Sequence, residues 1–123
     1  MSNSVNEEIT NHGIAVRDYN FMKHTLNVII DNNTEIILLV GSGNNGKTHL
    51  INEMSVKLIE HDYEILHECP IDKSIFENFE QLLKSYKKKI IMTSIVNPYT
   101  YYTNAPIVKP NNIIVLDMEH IEF

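Results

Sequence analysis

Short apolar runs alternate with helically spaced apolar residues along this chain of 123 residues. Residues 36–40, with the sequence IILLV, are continuously apolar and too few for a helix, so they predict a strand buried on both faces. Before this run, apolar residues recur three and four positions apart from the N-cap candidate Asp18 to the polar cluster at 32–34, which predicts a helix. After it, the same spacing predicts a second helix that ends near His61.

The second half of the chain repeats this alternation. Residues 63–68 predict a strand, and residues 74–86 predict a helix that opens with a capping box. Residues 90–96 and Ile113–Asp117 predict two further strands, with a long loop containing three prolines between them.

Strands that alternate with helices predict an α/β fold in three layers, with a small, mainly parallel sheet of about four strands. Residues 1–12 are polar and without periodicity, and we expect them to form a flexible terminus. The length of the chain suits one domain, so residues 13–123 are expected to form it.

The charge and cysteine content narrow the possible partners and compartments. A net charge of −6 does not favour binding to nucleic acid, which needs clustered cations to displace counterions. Tyr99, Tyr101 and Tyr102 in the long loop could stack on bases, but we favour a role in covering a sheet edge.

No apolar run is long enough to cross a membrane, and the amino terminus lacks the features of a secretory signal. Because Cys69 is the only cysteine, we expect a reducing compartment: the cytoplasm, or the host cytoplasm if the chain is viral.

A glycine-rich motif joins the first predicted strand to the second predicted helix. The pattern G-x-x-x-x-G-K-[ST] matches Gly41, Gly46, Lys47 and Thr48. Glycines let successive amide hydrogens converge on phosphate oxygens, and the helix N-terminus directs its positive dipole end to the same place. The Lys47 ammonium can bridge terminal phosphates, and the Thr48 hydroxyl can ligate magnesium. The candidate phosphate-binding residues are Gly41, Ser42, Gly43, Asn44, Asn45, Gly46, Lys47, Thr48 and His49, although a histidine at this position more often packs beside the loop.

Two carboxylates are candidates for the acids that serve a metal ion and orient water. Asp117 follows four apolar residues at the end of a predicted strand, and Glu68 ends the strand predicted at 63–68. A carboxylate at the carboxyl end of a strand reaches the crevice in which α/β sheets bind ligands. We assign Asp117 with Thr48 to the metal, and Glu68 with Lys47 to catalysis, and the roles of the two acids can be exchanged.

These residues resemble the Walker A loop of P-loop NTPases. Residues 41–48, GSGNNGKT, are similar to the G-x-G-x-N-G-K-[ST] variant of superfamily III helicases and related viral ATPases. Thr93 and Ser94, followed by Asn97, resemble the sensor strand of that family, whose polar tip faces the γ-phosphate. The resemblance implies a single P-loop nucleotide-binding domain that binds ATP, or another nucleoside triphosphate, with Mg²⁺ and hydrolyses the β–γ bond.

Arg17 is the only arginine of the chain, and this affects the expected activity. The resemblance implies rings in which an arginine from one subunit completes the site of its neighbour. We therefore expect slow hydrolysis and a homo-oligomer or protein partner that supplies an arginine. From its place ahead of the first helix, Arg17 would need a neighbouring subunit to present it. The alternative function is a reduced P-loop scaffold that acts through protein contacts, with little or no catalysis.

Overall fold

The computed structural model of the chain describes residues 7–10, 13–41, 46–66, 89–95 and 112–121. Within these residues, the secondary structure consists of six strands and two helices. The elements are β1 (Glu7–Thr10), β2 (Gly13–Val16), α1 (Tyr19–Asp31), β3 (Ile36–Val40), α2 (Lys47–Glu60), β4 (Tyr63–Leu66), β5 (Lys89–Ser94) and β6 (Ile113–Asp117). None of the helices in this part of the chain is long and apolar enough to cross a membrane.

All of these strands belong to one sheet of six strands, in the order β1-β2-β6-β3-β5-β4. The four neighbouring pairs in the order β2-β6-β3-β5-β4 are all parallel. Only β1 pairs antiparallel, with β2. The predicted α/β class with a mainly parallel sheet is therefore confirmed. The expected number of about four strands is wrong, because β1 and β2 extend the sheet beyond β6.

The hairpin of β1 and β2 carries little signal in the sequence. Residues 1–12 were expected to be a flexible terminus, yet Glu7–Thr10 within them pairs with Gly13–Val16. Both strands are only four residues long, and their stability depends on the neighbouring strand more than on intrinsic propensity. Gly13 lets β2 lie close to β6 on its other side, since a Cβ atom there would lie 3.2 Å from the Val115 carbonyl oxygen of β6.

The core lies on both faces of the sheet. The buried side chains of α1 and α2 join one face of the sheet in a single cluster, so both helices cover that face. Alternate residues of β3, β5 and β6 form a second buried cluster on the opposite face. Of the three layers expected, the described residues form two: the sheet and one layer of helices. The helix predicted at 74–86 lies outside them.

Residues that favour the start or the end of a helix lie at the ends of α1 and α2. The Asp18 carboxylate accepts a hydrogen bond from the Phe21 amide at 3.0 Å, as an N-cap does at the start of α1. Asn33 (φ 58°) and Asp62 (φ 64°) take left-handed conformations just beyond the ends of α1 and α2. Short polar residues tolerate this conformation and so end both helices.

An ion pair joins the carboxyl-terminal ends of the two helices. The Lys57 ammonium lies 2.7 Å from the Asp31 carboxylate and also donates to the Asn27 side chain. The hydrogen bond from Lys57 lowers the pKa of the Asp31 carboxyl below its ordinary value. This contact holds α2 beside α1 at the end remote from the glycine-rich motif.

Candidate functional site

The motif begins at the carboxyl edge of the sheet, between two polar strand ends. Val40, the last residue of β3, is in register with Asp117 of β6 on one side and with Ser94 of β5 on the other. The Gly41 amide donates to the Ser94 carbonyl oxygen at 3.1 Å, so the first residue of the motif is anchored to β5. Asp117 and Ser94 therefore flank the point at which the chain leaves β3.

Gly46 sets the direction in which α2 leaves the motif. It occupies the N-cap position with φ 83° and ψ 12°, a left-handed conformation that residues with a Cβ atom rarely adopt. As a glycine, Gly46 has no side chain with which to cap the amide groups of the first turn of α2. Amide groups at a helix N-terminus are groups that bind phosphate in proteins. Residues 42–45 of the motif lie outside the described residues.

Lys47 brings the two ends of the motif together. Its ammonium group, half-buried, donates a hydrogen bond to the carbonyl oxygen of Gly41. Thr48 follows in the first turn of α2 with an exposed side chain. The predicted residues Gly41, Gly46, Lys47 and Thr48 thus lie around one short stretch of the sheet edge.

Of the two candidate acids, the structure describes only Asp117. It ends β6 beside Val40, and its Oδ1 atom accepts a hydrogen bond from the Glu119 amide at 2.9 Å. Since neighbouring strands lie about 4.8 Å apart, the Asp117 backbone is one strand spacing from the residue that precedes the motif. Glu68 lies outside the described residues.

Thr93 and Ser94, the predicted sensor residues, end β5 on the other side of β3. They are the buried polar residues of the described part of the chain, with exposures of 1% and 2%. Thr93 is in register with Leu39, and Ser94 with Val40. Two polar side chains are therefore buried next to the start of the motif, whereas Asn97 lies outside the described residues.

His49 lies in the first turn of α2 but faces α1. Its ring is 5.5 Å from the ring of Tyr19, and its Nε2 atom is 3.0 Å from Oε1 of Glu53. Its side chain is 63% exposed. Packing of His49 beside the loop stays a prediction, because residues 42–45 lie outside the described residues. The candidate nucleotide contact of His49 remains a prediction.

Glu53 is the centre of this contact between the helices. Its carboxylate accepts hydrogen bonds from the Tyr19 hydroxyl and, at 2.9 Å, from the Lys23 ammonium. This cluster was not predicted from the sequence. Its one signal there is the four-residue spacing of His49 and Glu53, which makes the two side chains neighbours on a helix. The amino-terminal ends of α1 and α2 are thereby held side by side.

The cluster shifts the titration of its members. Burial first, and then the hydrogen bond to Glu53, raise the pKa of the Tyr19 hydroxyl above its ordinary value. The hydrogen bonds from Tyr19 and then Lys23 lower the pKa of the Glu53 carboxyl below its ordinary value of 4.5. Glu53 is therefore ionised in the folded protein at neutral pH.

We expect Glu53→Gln to be less stable than the wild type at neutral pH, with a difference that shrinks in acid. A lowered pKa in the folded state stabilises the protein above the ordinary pKa of 4.5, and this stabilisation is lost as the pH falls through the folded value. Thermal unfolding of both proteins between neutral pH and pH values below 4.5 measures the difference. Glu60→Gln, on the same helix outside the cluster, is the control. A difference that is constant with pH would contradict the role given to the Glu53 charge.

The described residues do not contain three histidine, cysteine or acidic side chains grouped closely enough to hold a metal ion by themselves. Thr48 and Asp117 lie at the same edge and offer a hydroxyl and a carboxylate oxygen. Oxygen donors of this kind, in small number, suit Mg²⁺, which takes its remaining ligands from water and from phosphate groups. The donor set therefore fits a metal that arrives with a nucleotide.

Comparisons with protein-family models, with curated proteins and with solved structures find no match to this chain.

Proposed function

We propose that this chain is a P-loop domain that binds ATP, or another nucleoside triphosphate, together with Mg²⁺ at residues 41–48. The observation that carries the proposal is the contact between the Lys47 ammonium and the Gly41 carbonyl oxygen. This contact places the positive charge of the motif directly over its glycine-rich start, at the carboxyl edge of a parallel sheet. Ligands of open α/β sheets bind at such edges.

Each proposed role follows from the position of a residue around the motif. The Lys47 ammonium would exchange the Gly41 carbonyl oxygen for phosphate oxygens, which form stronger charge-assisted hydrogen bonds. The amides at the start of α2 would bind the same phosphates. Thr48 and Asp117 would hold the Mg²⁺ ion, which neutralises phosphate charge when bound.

We propose hydrolysis of the β–γ bond as a slow activity, with Asp117 or Glu68 orienting the water. Charge on the transferring phosphoryl group is stabilised in comparable sites by an arginine, which contributes a factor of about 10³ to 10⁵ to the rate. The chain has one arginine, so its own supply of such groups is small. A single cysteine favours a reducing compartment such as the cytoplasm for this activity.

Thermal unfolding with and without nucleotide tests the proposal. A ligand at about 100 times its dissociation constant adds about 2.7 kcal/mol to the free energy of unfolding, or several degrees in Tm for a domain of this size. We expect this shift with ATP and Mg²⁺, and part of it with pyrophosphate, because most of the proposed contacts are to phosphates. Adenosine, which has no phosphate, is the control and should give no shift.

A flat response to every nucleotide would contradict the proposal. It would favour the scaffold function, in which the same fold acts through protein contacts. A shift with adenosine as large as that with ATP would show that the ligand is held by its base and not by the glycine-rich motif.

A further inference from the structure

The position of Arg17 in the fold differs from the one expected from its place in the sequence. Arg17 directly follows β2, and β2 lies parallel to β6 in the same sheet. Ala15 is in register with Asp117, and Asp117 is in register with Val40. The three residues thus form one row across the sheet, at the carboxyl ends of β2, β6 and β3.

This row places Arg17 and the glycine-rich motif at the same edge. Two strand spacings, about 10 Å, separate the backbones of Ala15 and Val40. Arg17 lies two residues beyond Ala15, and Gly41 lies one residue beyond Val40, both in the direction that leads out of the sheet. A long guanidinium side chain and a bound polyphosphate can together span this distance.

A second contact, independent of the sheet register, brings the same segment to the motif. Two residues after Arg17, the Tyr19 ring packs 5.5 Å from the ring of His49, in the first turn of α2. The Tyr19 hydroxyl also donates to Glu53, one turn further along α2. The connection from β2 to α1 is therefore held against the end of α2 that carries Gly46 and Lys47.

The side chain of Arg17 is available for a ligand. Arg17 is exposed, and its side chain forms no hydrogen bond or ion pair within the part of the chain that the structure describes. The neighbouring Asp18 carboxylate is engaged as the N-cap of α1. The nearest acid in the row, Asp117, accepts the Glu119 amide.

We propose that Arg17 binds the phosphates of the nucleotide held by the glycine-rich motif of the same chain. The inference depends on the proposed nucleotide site and adds a residue to it. A guanidinium group donates two parallel hydrogen bonds to phosphate oxygens, a geometry that the ammonium of Lys47 cannot supply. One chain then provides both cations of its own phosphate site, and no neighbouring subunit is needed to present Arg17.

Titration of a fluorescent ATP analogue with Mg²⁺ tests the contribution of Arg17. We expect Arg17→Ala to weaken binding about tenfold and Arg17→Lys to recover part of the loss, as for a charge-assisted contact to phosphate. The control is Lys89→Ala, which removes the same charge at the start of β5, the opposite edge of the sheet. Loss of affinity in Arg17→Ala but not in Lys89→Ala supports the proposal, and unchanged affinity in Arg17→Ala overturns it.

An equimolar mixture of Arg17→Ala and Lys47→Ala chains separates contact within one chain from contact between chains. If Arg17 acts within its own chain, every chain in the mixture carries a defect, and the affinity stays as weak as in the separate variants. A fraction of sites with wild-type affinity in the mixture, absent from either variant alone, would place Arg17 in a neighbouring subunit and overturn the proposal. Lys47→Ala alone reports on the nucleotide site itself, so its failure to weaken binding would refute the proposed function and not only the role of Arg17.

Discussion

Lys47→Ala is expected to weaken binding of a fluorescent ATP analogue at least tenfold, which corresponds to about 1.4 kcal/mol. The Lys47 ammonium contacts a carbonyl oxygen of the motif itself. Exchange of this acceptor for the charged oxygens of a triphosphate is favourable, and removal of the ammonium group abolishes the exchange. The dissociation constants of the two proteins, measured by titration with Mg²⁺ present, give the effect.

Lys57→Ala is the matched control for this prediction. Lys57 is a partly buried lysine of the same helix, and its ammonium pairs with Asp31 at the end remote from the motif. Its removal loosens the contact between α1 and α2, so it can lower Tm, yet it should leave nucleotide affinity close to that of the wild type. Equal affinities of wild type and Lys47→Ala would mean that residues 41–48 are not the nucleotide site. A comparable loss in Lys57→Ala would mean that the effect came from the fold.

The parts of the fold that could be predicted from the sequence are those with a local signal. The strands β3 and β6 are continuous apolar runs, and Ile113–Asp117 has the predicted bounds. The helix α1 begins after its predicted N-cap Asp18 because the capping carboxylate is local to the helix. The hairpin of β1 and β2 has no such signal, since its strands are short and depend on pairing with β6.

The same distinction applies to the candidate site. Gly41, Gly46, Lys47 and Thr48 are close in sequence, and a strand followed by a helix brings them together in any fold of this class. The position of Asp117 beside Val40 depends on the pairing of β3 with β6, elements far apart in the chain. Sheet order cannot be obtained from periodicity, which fixes only which residues share a face.

Arg17 shows how far sheet order changes a functional interpretation. From the sequence it lies ahead of the first helix and well before the motif, so a neighbouring subunit was expected to present it. The insertion of β6 between β2 and β3 places the carboxyl ends of all three strands in one row. Distance along the chain is then no guide to distance across the edge of the sheet.

Leu58→Ala is expected to destabilise the protein by about 2 to 5 kcal/mol, the usual cost of this change in a core. Leu58 is fully buried, with 0% exposure, in the cluster that joins α2 to the sheet. A domain of this size has a free energy of unfolding of about 5 to 15 kcal/mol, so the loss removes a large fraction of it. Chemical denaturation followed by circular dichroism measures the change.

Val56→Ala provides the comparison, because it truncates an apolar side chain of the same helix that is 68% exposed. Changes at such surface positions usually stay within about 0.5 kcal/mol. The contrast matters for function, since α2 carries Gly46 and Lys47 at its first turn and its packing fixes where these residues lie. If Leu58→Ala cost no more than Val56→Ala, α2 would not cover this face of the sheet. The position of Lys47 over Gly41, and with it the proposed nucleotide site, would then have to be abandoned.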